Sequence, residues 1–409
     1  MRTAAPWACW LLTRLAGLLI ILDRLPYPRR TEILGDPAIY AEWSRILAAG
    51  AFPEDDVRWQ YPPLAAPVML LPRWLSTWLA TSYTTAFALV ALGADLLIMW
   101  LLTRRRSGGS PAGAWVWVAG PVLLGPMSYV RYDLIVTVTA VAALLMTARH
   151  RIFGALAAVG AMLKAWPVLL LAALPRTRGG VQAAAVFAAV CAAVPAVFAL
   201  LQGRAPWSFL DAQASRGLEC EALAATPFML ARLASWDGAI VYQYGSMELV
   251  GPGIERTAAL LPPVTAVALL IVAALAWRGT RRAWNAAWAC DVAFAAVLAA
   301  VATSRVLSPQ YMLWLLGLGA VCLAHGGTRQ RPAVWLILAA TALSQYLYPI
   351  AWPDLMAARP VETWTLAVRN LLVLAATVIA VARLRTGPVT EPAPSAPAAS
   401  PEHAETTAR

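Results

Sequence analysis

Long apolar runs separated by short polar and basic stretches dominate the chain from residue 7 to residue 383. Many of these runs approach the roughly 20 apolar residues that a helix needs to cross a bilayer. The ten-residue alternating segments of a membrane β-barrel do not occur. We therefore predict an all-α polytopic membrane protein, with spans at about 7–24, 62–102, 114–128, 133–148, 181–202, 257–277, 284–302, 310–324, 333–350 and 363–383.

The apolar stretch 152–175 lies between two basic clusters but is too short for two complete spans, which need about 40 residues. It is therefore predicted to contain two short helices that meet near Lys164 and Pro167. Broken helices of this kind occur in membranes where they line a cavity rather than lipid. Counting this pair, the chain is expected to have about 12 membrane helices.

Basic clusters separate the apolar runs and predict the orientation in the membrane. Arginine-rich short loops favour the cytoplasm, which places both termini inside and makes the chain a multi-pass plasma membrane protein. Most of the acidic residues then fall outside, in two outer loops, 25–62 and 203–255. Residues 1–385 are predicted to form one membrane domain, followed by a disordered, Pro/Ala-rich cytoplasmic tail, 386–409.

Composition narrows the functional class. The chain is 60% hydrophobic and 13% charged, so its net charge of +11 reflects topology rather than nucleic-acid binding. No signal peptide with a cleavage site is evident at the first apolar run. The five cysteines are too scattered for a disulfide framework or a metal cluster. All three histidines fall on the predicted inner side, so no histidine is expected as a base outside.

The first outer loop contains an amphipathic stretch, DPAIYAEWSRILAAG. It is predicted to form a helix with Asp36 as N-cap, Pro37 at the first helical position and Gly50 at the end. The helix is too polar to span the bilayer, so we expect it to lie flat on the membrane surface. Its predicted apolar face consists of Ile39, Trp43, Ile46 and Leu47.

Charged and aromatic residues from distant segments fall on this same outer side. Carboxylates and cations that meet beside a flat helix suit a phosphate-bearing lipid headgroup. Lys164 is the only lysine of the chain, and a lysine within an apolar run is costly unless it reaches water or an anion. The candidate site residues are Asp36, Tyr40, Asp55, Asp56, Tyr61, Arg131, Asp133, Lys164, Arg216, Glu219, Arg305, Gln310 and Tyr311.

A series of short motifs in these segments resembles the GT-C membrane glycosyltransferases, and specifically glycosyltransferase family 87. The pair Pro53–Glu54 departs from the family pattern, which has an aromatic residue after the proline. The motifs are D-x-x-x-Y (Asp36 to Tyr40), G-x-x-P (Gly50 to Pro53), YPPL (Tyr61 to Leu64), R-x-D (Arg131, Asp133), a lysine before proline (Lys164, Pro167), S-R-G-x-x-x-E (Ser215 to Glu221) and SPQY (Ser308 to Tyr311).

The resemblance implies a GT-C-type helix bundle and an inverting α-mannosyltransferase of an actinobacterial envelope. The donor would be polyprenyl-phosphate mannose, and the acceptor a glycolipid or glycan on the extracytoplasmic face. Asp36 would be the general base that deprotonates the acceptor hydroxyl. Fixed positive charge would stabilise the leaving phosphate. No cofactor is implied, and a required divalent metal is not favoured.

Other interpretations remain open at this point. Asp36 could only cap its helix, Arg131 and Asp133 could pair with each other, and Asp55 with Asp56 could bind a divalent cation. Arg216 and Glu219 could belong to a solvated loop, and Gln310 with Tyr311 could only end a span at the interface. The competing functions are a transporter or lipid-linked sugar flippase, in which the membrane carboxylates Asp95 and Asp291 would matter most, and an inactive glycolipid-binding relative.

Overall fold

The computed structural model describes residues 4–54, 56–104, 110–203, 207–214 and 216–389, and most of them are helical. Within these ranges, six helices are long and apolar enough to cross a membrane, and further apolar helices are shorter. The protein is thus an all-α polytopic membrane protein, as predicted. The first helices are α1 (Ala4–Ile21), α2 (Arg30–Ile33), α3 (Gly35–Ala48), α4 (Ala65–Trp78), α5 (Tyr83–Thr103), α6 (Ala112–Leu124), α7 (Asp133–Leu145), α8 (His150–Leu163) and α9 (Arg178–Gln202).

The second half of the chain continues the bundle after a large loop. A second, smaller hydrophobic cluster lies under that loop, apart from the main core of the bundle, and includes Leu218, Leu249 and Leu366. The remaining helices are α10 (Ser208–Ala214), α11 (Thr226–Ala231), α12 (Ile254–Arg282), α13 (Ala286–Ala302), α14 (Tyr311–Ala324), α15 (Arg331–Gln345), α16 (Trp352–Met356) and α17 (Pro360–Arg383).

The predicted pair of short helices in 152–175 is confirmed. Helix α8 ends at Leu163, Lys164 has extended backbone, and a 3₁₀ helix follows from Trp166 to Ala173. Pro167 lies at the start of this second piece, where its missing N–H is tolerated. The break therefore places the single lysine of the chain at the junction of two helices that are too short to span.

Helix α3 is present, but the predicted role of Asp36 as its N-cap is wrong. The helix begins at Gly35 after Leu34, and no side chain caps it. Asp36 lies in the first turn, so its carboxylate is free to bind a neighbouring segment. The buried face of α3 is Pro37, Tyr40, Trp43 and Ser44, because aromatic packing draws Tyr40 and Trp43 into the protein, whereas Ile39, Ile46 and Leu47 are only partly buried.

The large loop contains a small antiparallel sheet that the sequence analysis did not predict. Its strands are β1 (Leu218–Glu219), β2 (Ala239–Gln243) and β3 (Ser246–Val250), in the order β1–β3–β2. Gln243 pairs with Ser246, which leaves a two-residue turn. Both turn residues, Tyr244 and Gly245, have positive φ, the geometry of a type I′ hairpin.

The predicted tail begins where α17 ends. A short 3₁₀ turn, Leu384–Thr386, follows α17 and packs against α12. The rest of the predicted tail, from residue 390 onward, lies outside the described residues.

Candidate active site

Asp36 is paired with Arg131 from the turn before α7. One terminal nitrogen of Arg131 lies 2.7 Å from Asp36 Oδ2, and the Tyr40 hydroxyl donates to the same oxygen at 3.3 Å. Burial alone would lower the pKa of Arg131, but the charge of Asp36 and the neighbouring tyrosines Tyr348, Tyr40 and Tyr61 together outweigh it, and the pKa lies above its ordinary value. The Asp36 side chain is 30% exposed, against 6% for Arg131, so the carboxylate remains accessible while the guanidinium orients it.

Lys164 sits in a cage of aromatic rings. Its Nζ lies 2.8 Å from Asp133 Oδ1, and Trp314 Nε1 donates to that same oxygen at 2.6 Å. Cation–π contacts of this kind stabilise an ammonium group. The surrounding rings are Trp314, Tyr311, Tyr132 and Tyr61, whose centroids lie 4.8, 5.2, 5.3 and 5.8 Å from Nζ.

The SPQY segment and the large outer loop are joined through Glu219. The Leu307 N–H and the Ser308 hydroxyl donate to its two carboxylate oxygens at 2.7 and 2.8 Å. Burial raises the pKa of Glu219, and these donors together with the charge of Arg216 only partly offset that rise. Glu219 therefore fixes the SPQY segment against strand β1.

Arg216 and Arg305 have different positions around this junction. Arg216 donates to the Ser246 hydroxyl at 2.6 Å, with Glu248 at 3.6 Å. Arg305 donates to the carbonyl oxygens of Ala258 and Arg216. The Arg305 guanidinium thus holds the backbone at Ala258 and Arg216. The side chain of Arg216, by contrast, lines a cavity.

Two cavities meet at Asp36. The first, which we call the Lys164 cavity, has a volume of about 90 Å³ and contains Lys164, Arg58 and Arg216 in its wall. The second, the Glu219 cavity, has a volume of about 330 Å³. Residues that line both are Asp36, Ile39, Gly245, Ser246, Ser308 and Gln310. Asp36 therefore stands on the wall between them.

The two cavities differ in chemistry. Tyr40, Tyr61 and Tyr311 complete the wall of the Lys164 cavity. Burial and the charges of Asp36 and Asp133 raise the pKa of Tyr61, so its hydroxyl stays protonated. The Glu219 cavity is lined instead by carboxylates and aromatic rings, with Arg131 as its cation: Glu32, Glu219, Glu221, Tyr242, Tyr348 and Trp352.

A third, apolar cavity adjoins the Lys164 cavity. This Trp166 cavity has a volume of about 220 Å³ and shares Gln60, Lys164, Gln213 and Tyr311 with it. Its other walls are Pro62, Ala165, Trp166, Phe209, Val297, Ala300, Val301, Ser304 and Trp314. A polar pocket that continues into an apolar one suits an amphiphile with a charged head and a hydrocarbon chain.

Several buried donors around these cavities have no acceptor among the described residues. They are Nε of Arg131 and Arg216 and the indole nitrogens of Trp59 and Trp166. Buried N–H groups of this kind are normally satisfied. Donors of this type, together with the Lys164 ammonium, match the oxygens of a phosphate or a sugar.

The predicted site residues thus fall into three groups. Asp36, Tyr40, Tyr61, Arg131, Lys164, Arg216, Glu219, Gln310 and Tyr311 line at least one of the three cavities. Asp133 and Arg305 lie behind them and contact lining residues. Asp56 also lies behind the wall, because Arg58 and Trp43, which line the Lys164 cavity, bind its carboxylate; these hydrogen bonds outweigh burial and lower its pKa. Asp55 lies outside the described residues.

The sequence analysis missed the hairpin tip and a C-terminal wall. Gly245 and Ser246 close both cavities, and Gln60 donates to the Tyr244 carbonyl at 2.7 Å, which ties the tip to the first outer loop. The stretch VYQYGSMEL carried a detectable signal, an aromatic–glycine pair between alternating residues. Tyr348 and Trp352 carried no comparable signal, since they come from the far end of the chain.

The two membrane carboxylates have structural partners. Asp95 is fully buried and binds Arg14, whose Nε lies 2.8 Å from Oδ2, and the indoles of Trp10 and Trp117. Arg14 also donates to the Trp117 carbonyl. In a regular helix this carbonyl would accept from the N–H four residues later, but that residue is Pro121, which has no N–H. Asp291 accepts from the Thr328 hydroxyl and the Arg329 N–H. Neither carboxylate lines the three cavities.

Metal ligands do not cluster in the described part of the chain: no group there has three or more His, Cys, Asp or Glu side chains positioned to hold a metal ion. That the reaction does not require a divalent metal ion stays a prediction from the sequence.

Comparison with known proteins assigns the chain to a family. The sequence model of glycosyltransferase family 87 matches residues 59–309. The match includes Tyr61, Arg131, Lys164, Arg216 and Glu219 but begins after Asp36. No curated protein and no solved structure matches the chain. The family match extends over more than half of the sequence and contains Lys164, Arg216 and other residues that line the Lys164 cavity, and the protein is accordingly a member of glycosyltransferase family 87, a membrane glycosyltransferase.

Proposed function

We propose that this glycosyltransferase transfers a hexose from a polyprenyl-phosphate donor to a glycolipid or glycan acceptor on the extracytoplasmic face. The family resemblance indicates that this hexose is mannose. The observation that carries the proposal is the position of Asp36 on the wall between a cationic and a carboxylate-lined cavity. A transferase that joins two substrates needs a base at the place where they meet.

The donor is assigned to the Lys164 cavity and its apolar extension. Lys164 and Arg216 would bind the phosphate, and the first isoprene units would lie in the Trp166 cavity. Because the phosphate carries the negative charge that grows as the sugar leaves, fixed cations there stabilise the transition state. The phosphate needs no general acid, since it leaves as a stable anion.

The acceptor is assigned to the Glu219 cavity. Carboxylates and aromatic rings in its wall can bind sugar hydroxyls and sugar faces. Asp36 would take the proton of the attacking hydroxyl as the new C–O bond forms on the face of the anomeric carbon opposite the phosphate. The old C–O bond breaks, its electron pair leaves with the phosphate, and the configuration inverts. Arg131 orients the carboxylate for this transfer.

Asp95 and Asp291 each bind other residues of the protein, which argues against a transport function centred on these two carboxylates. In a transporter, membrane carboxylates usually face the substrate pathway. Here Asp95 is held by a buried arginine and two indoles, and Asp291 by a loop. Around the three cavities, by contrast, Nε of Arg131, Nε of Arg216 and the Trp166 indole nitrogen are buried donors without a hydrogen-bond acceptor among the described residues.

The test is transfer from radiolabelled polyprenyl-phosphate mannose by membranes that contain Asp36→Asn. We expect a loss of about 10² to 10⁴-fold, the usual contribution of a general base. Glu42→Gln is the matched control: it lies on the same helix, removes the same charge and lines none of the three cavities, and its partner Arg58 stays paired with Asp56. Equal incorporation by wild type and Asp36→Asn at equal protein abundance would refute Asp36 as the base.

A further inference from the structure

A large apolar groove lies at the end of the bundle opposite Asp36. Its volume of about 860 Å³ falls in the range of about 300–1,000 Å³ typical of small-ligand sites. The second half of α12 and the last turns of α17 form its long walls, and the end of α13 closes it. Ile271, Leu374 and Val378 line it and are 49, 47 and 59% exposed, so the groove opens toward the lipid rather than into the protein.

The direction of α12 places this groove on the other side of the membrane from the site. The first turns of α12 contact the site, where the Ala258 carbonyl accepts from Arg305. The helix then runs for 29 residues, a length of about 43 Å at 1.5 Å per residue. Arg278 and Arg282, which lie at its far end, are therefore a full membrane thickness from Asp36.

Three exposed arginines surround the far end of the groove: Arg278, Arg282 and Arg385. Among the described residues, no carboxylate lies within ion-pair distance of any of them. The sequence explains this, because 276–290 and 371–390 contain no Asp or Glu. The groove thus combines an apolar channel with guanidinium groups that have no counterion in the part of the chain that the structure describes.

We infer that this groove binds an anionic glycerophospholipid, with its phosphate on Arg278, Arg282 and Arg385 and its acyl chains between α12 and α17. Guanidinium groups bind phosphate through paired hydrogen bonds. Basic pockets between membrane helices at the cytoplasmic surface commonly bind phosphorylated headgroups, because that leaflet is rich in anionic lipid. The sugar donor is excluded as the occupant, since its phosphate must reach the Lys164 cavity.

The bound lipid would join two helices that support the site from behind. Helix α12 carries Ala258, which holds Arg305, and α17 carries Arg369, whose guanidinium lies 3.0 Å from Glu221 in the wall of the Glu219 cavity. A lipid wedged between their far ends would therefore stabilise the packing of both. This inference is independent of the sugar that is transferred, and lipid binding is measured without the transfer reaction.

The test compares binding of phosphatidylglycerol and phosphatidylcholine to the delipidated, detergent-purified full chain by native mass spectrometry. We expect phosphatidylglycerol to bind at least tenfold more tightly. Replacing Arg278, Arg282 and Arg385 together by Gln should weaken that binding about tenfold to a hundredfold, given the contribution of each basic residue near a membrane surface. The charge-matched control replaces three other exposed arginines at helix ends, Arg104, Arg151 and Arg331, by Gln.

A second pair of variants tests the groove without changing charge. Val378→Trp should fill part of it and weaken phosphatidylglycerol binding, whereas Val368→Trp, exposed on the same helix but outside the groove, should not. The inference is overturned if both arginine triples lose binding equally, if both lipids bind alike, if Val378→Trp binds as Val368→Trp does, or if polyprenyl phosphate binds more tightly than phosphatidylglycerol.

Discussion

Single side chains at the site are positioned by partners that are distant in the sequence. Asp36 is oriented by Arg131, and Lys164 by Asp133 and Trp314. The sequence left open whether Arg131 and Asp133 bind substrate or only pair with each other at a hairpin tip. In the structure, each pairs with a different residue: Arg131, in the turn before α7, with Asp36, and Asp133, the first residue of α7, with Lys164.

Lys164→Gln is expected to reduce transfer about 10² to 10³-fold, the usual cost of removing one group that stabilises transition-state charge. It should also destabilise the protein, since Asp133, with a side chain only 2% exposed, would become an unpaired buried charge. The double variant Lys164→Gln/Asp133→Asn removes that charge. Thermal unfolding should then recover toward wild type while transfer stays lost; recovery of transfer would show that Lys164 acts only structurally.

At the scale of elements, the β2–β3 hairpin closes the site from above. Its turn requires positive φ at Tyr244 and Gly245, and Gly245 faces both the Lys164 and the Glu219 cavities. The tip of the hairpin is held by Gln60 and Arg216, whereas Leu249 of β3 packs in the hydrophobic cluster that it shares with α12 and α17. The tip is therefore the part of the described site that depends most on local backbone geometry.

Gly245→Ala should weaken substrate binding more than it changes the stability of the bundle. An alanine at φ 78° costs about 1–2 kcal/mol, so kcat/KM should fall by about 5- to 30-fold, mainly through KM. Gly93→Ala, in the middle of α5 with no atom near the added methyl group, should leave transfer unchanged. Equal KM values for Gly245→Ala and wild type would show that the tip does not shape the cavities.

On the scale of the whole molecule, the site and the arginine-rich groove lie at opposite ends of α12. The positive-inside rule assigns the groove end to the cytoplasm and the site to the outside. In this predicted orientation, the proposed polyprenyl-phosphate donor would reach the site from the outer leaflet. It also separates the two anion sites that we propose by the thickness of the membrane.

The orientation can be measured by cysteine labelling of intact cells in a background without the native cysteines. Asp237→Cys, exposed in the large loop, should react with an impermeant maleimide. Arg151→Cys, exposed at the start of α8, should react only after the membrane is permeabilised. The reverse pattern would place Asp36 in the cytosol and exclude the proposed extracytoplasmic reaction.

The sequence by itself determined the class of protein, the position of most spans, the break at Lys164 and nine of the residues that line the cavities. These follow from hydrophobic length, charge and motif order, which are local along the chain. Only the tertiary structure decided that Asp36 pairs with Arg131 rather than capping its helix, that Asp56 binds Arg58 without lining a cavity, and that Tyr348 and Trp352 complete the Glu219 cavity. Each of these depends on which segments pack together, and packing is decided by the burial of side chains distant in sequence.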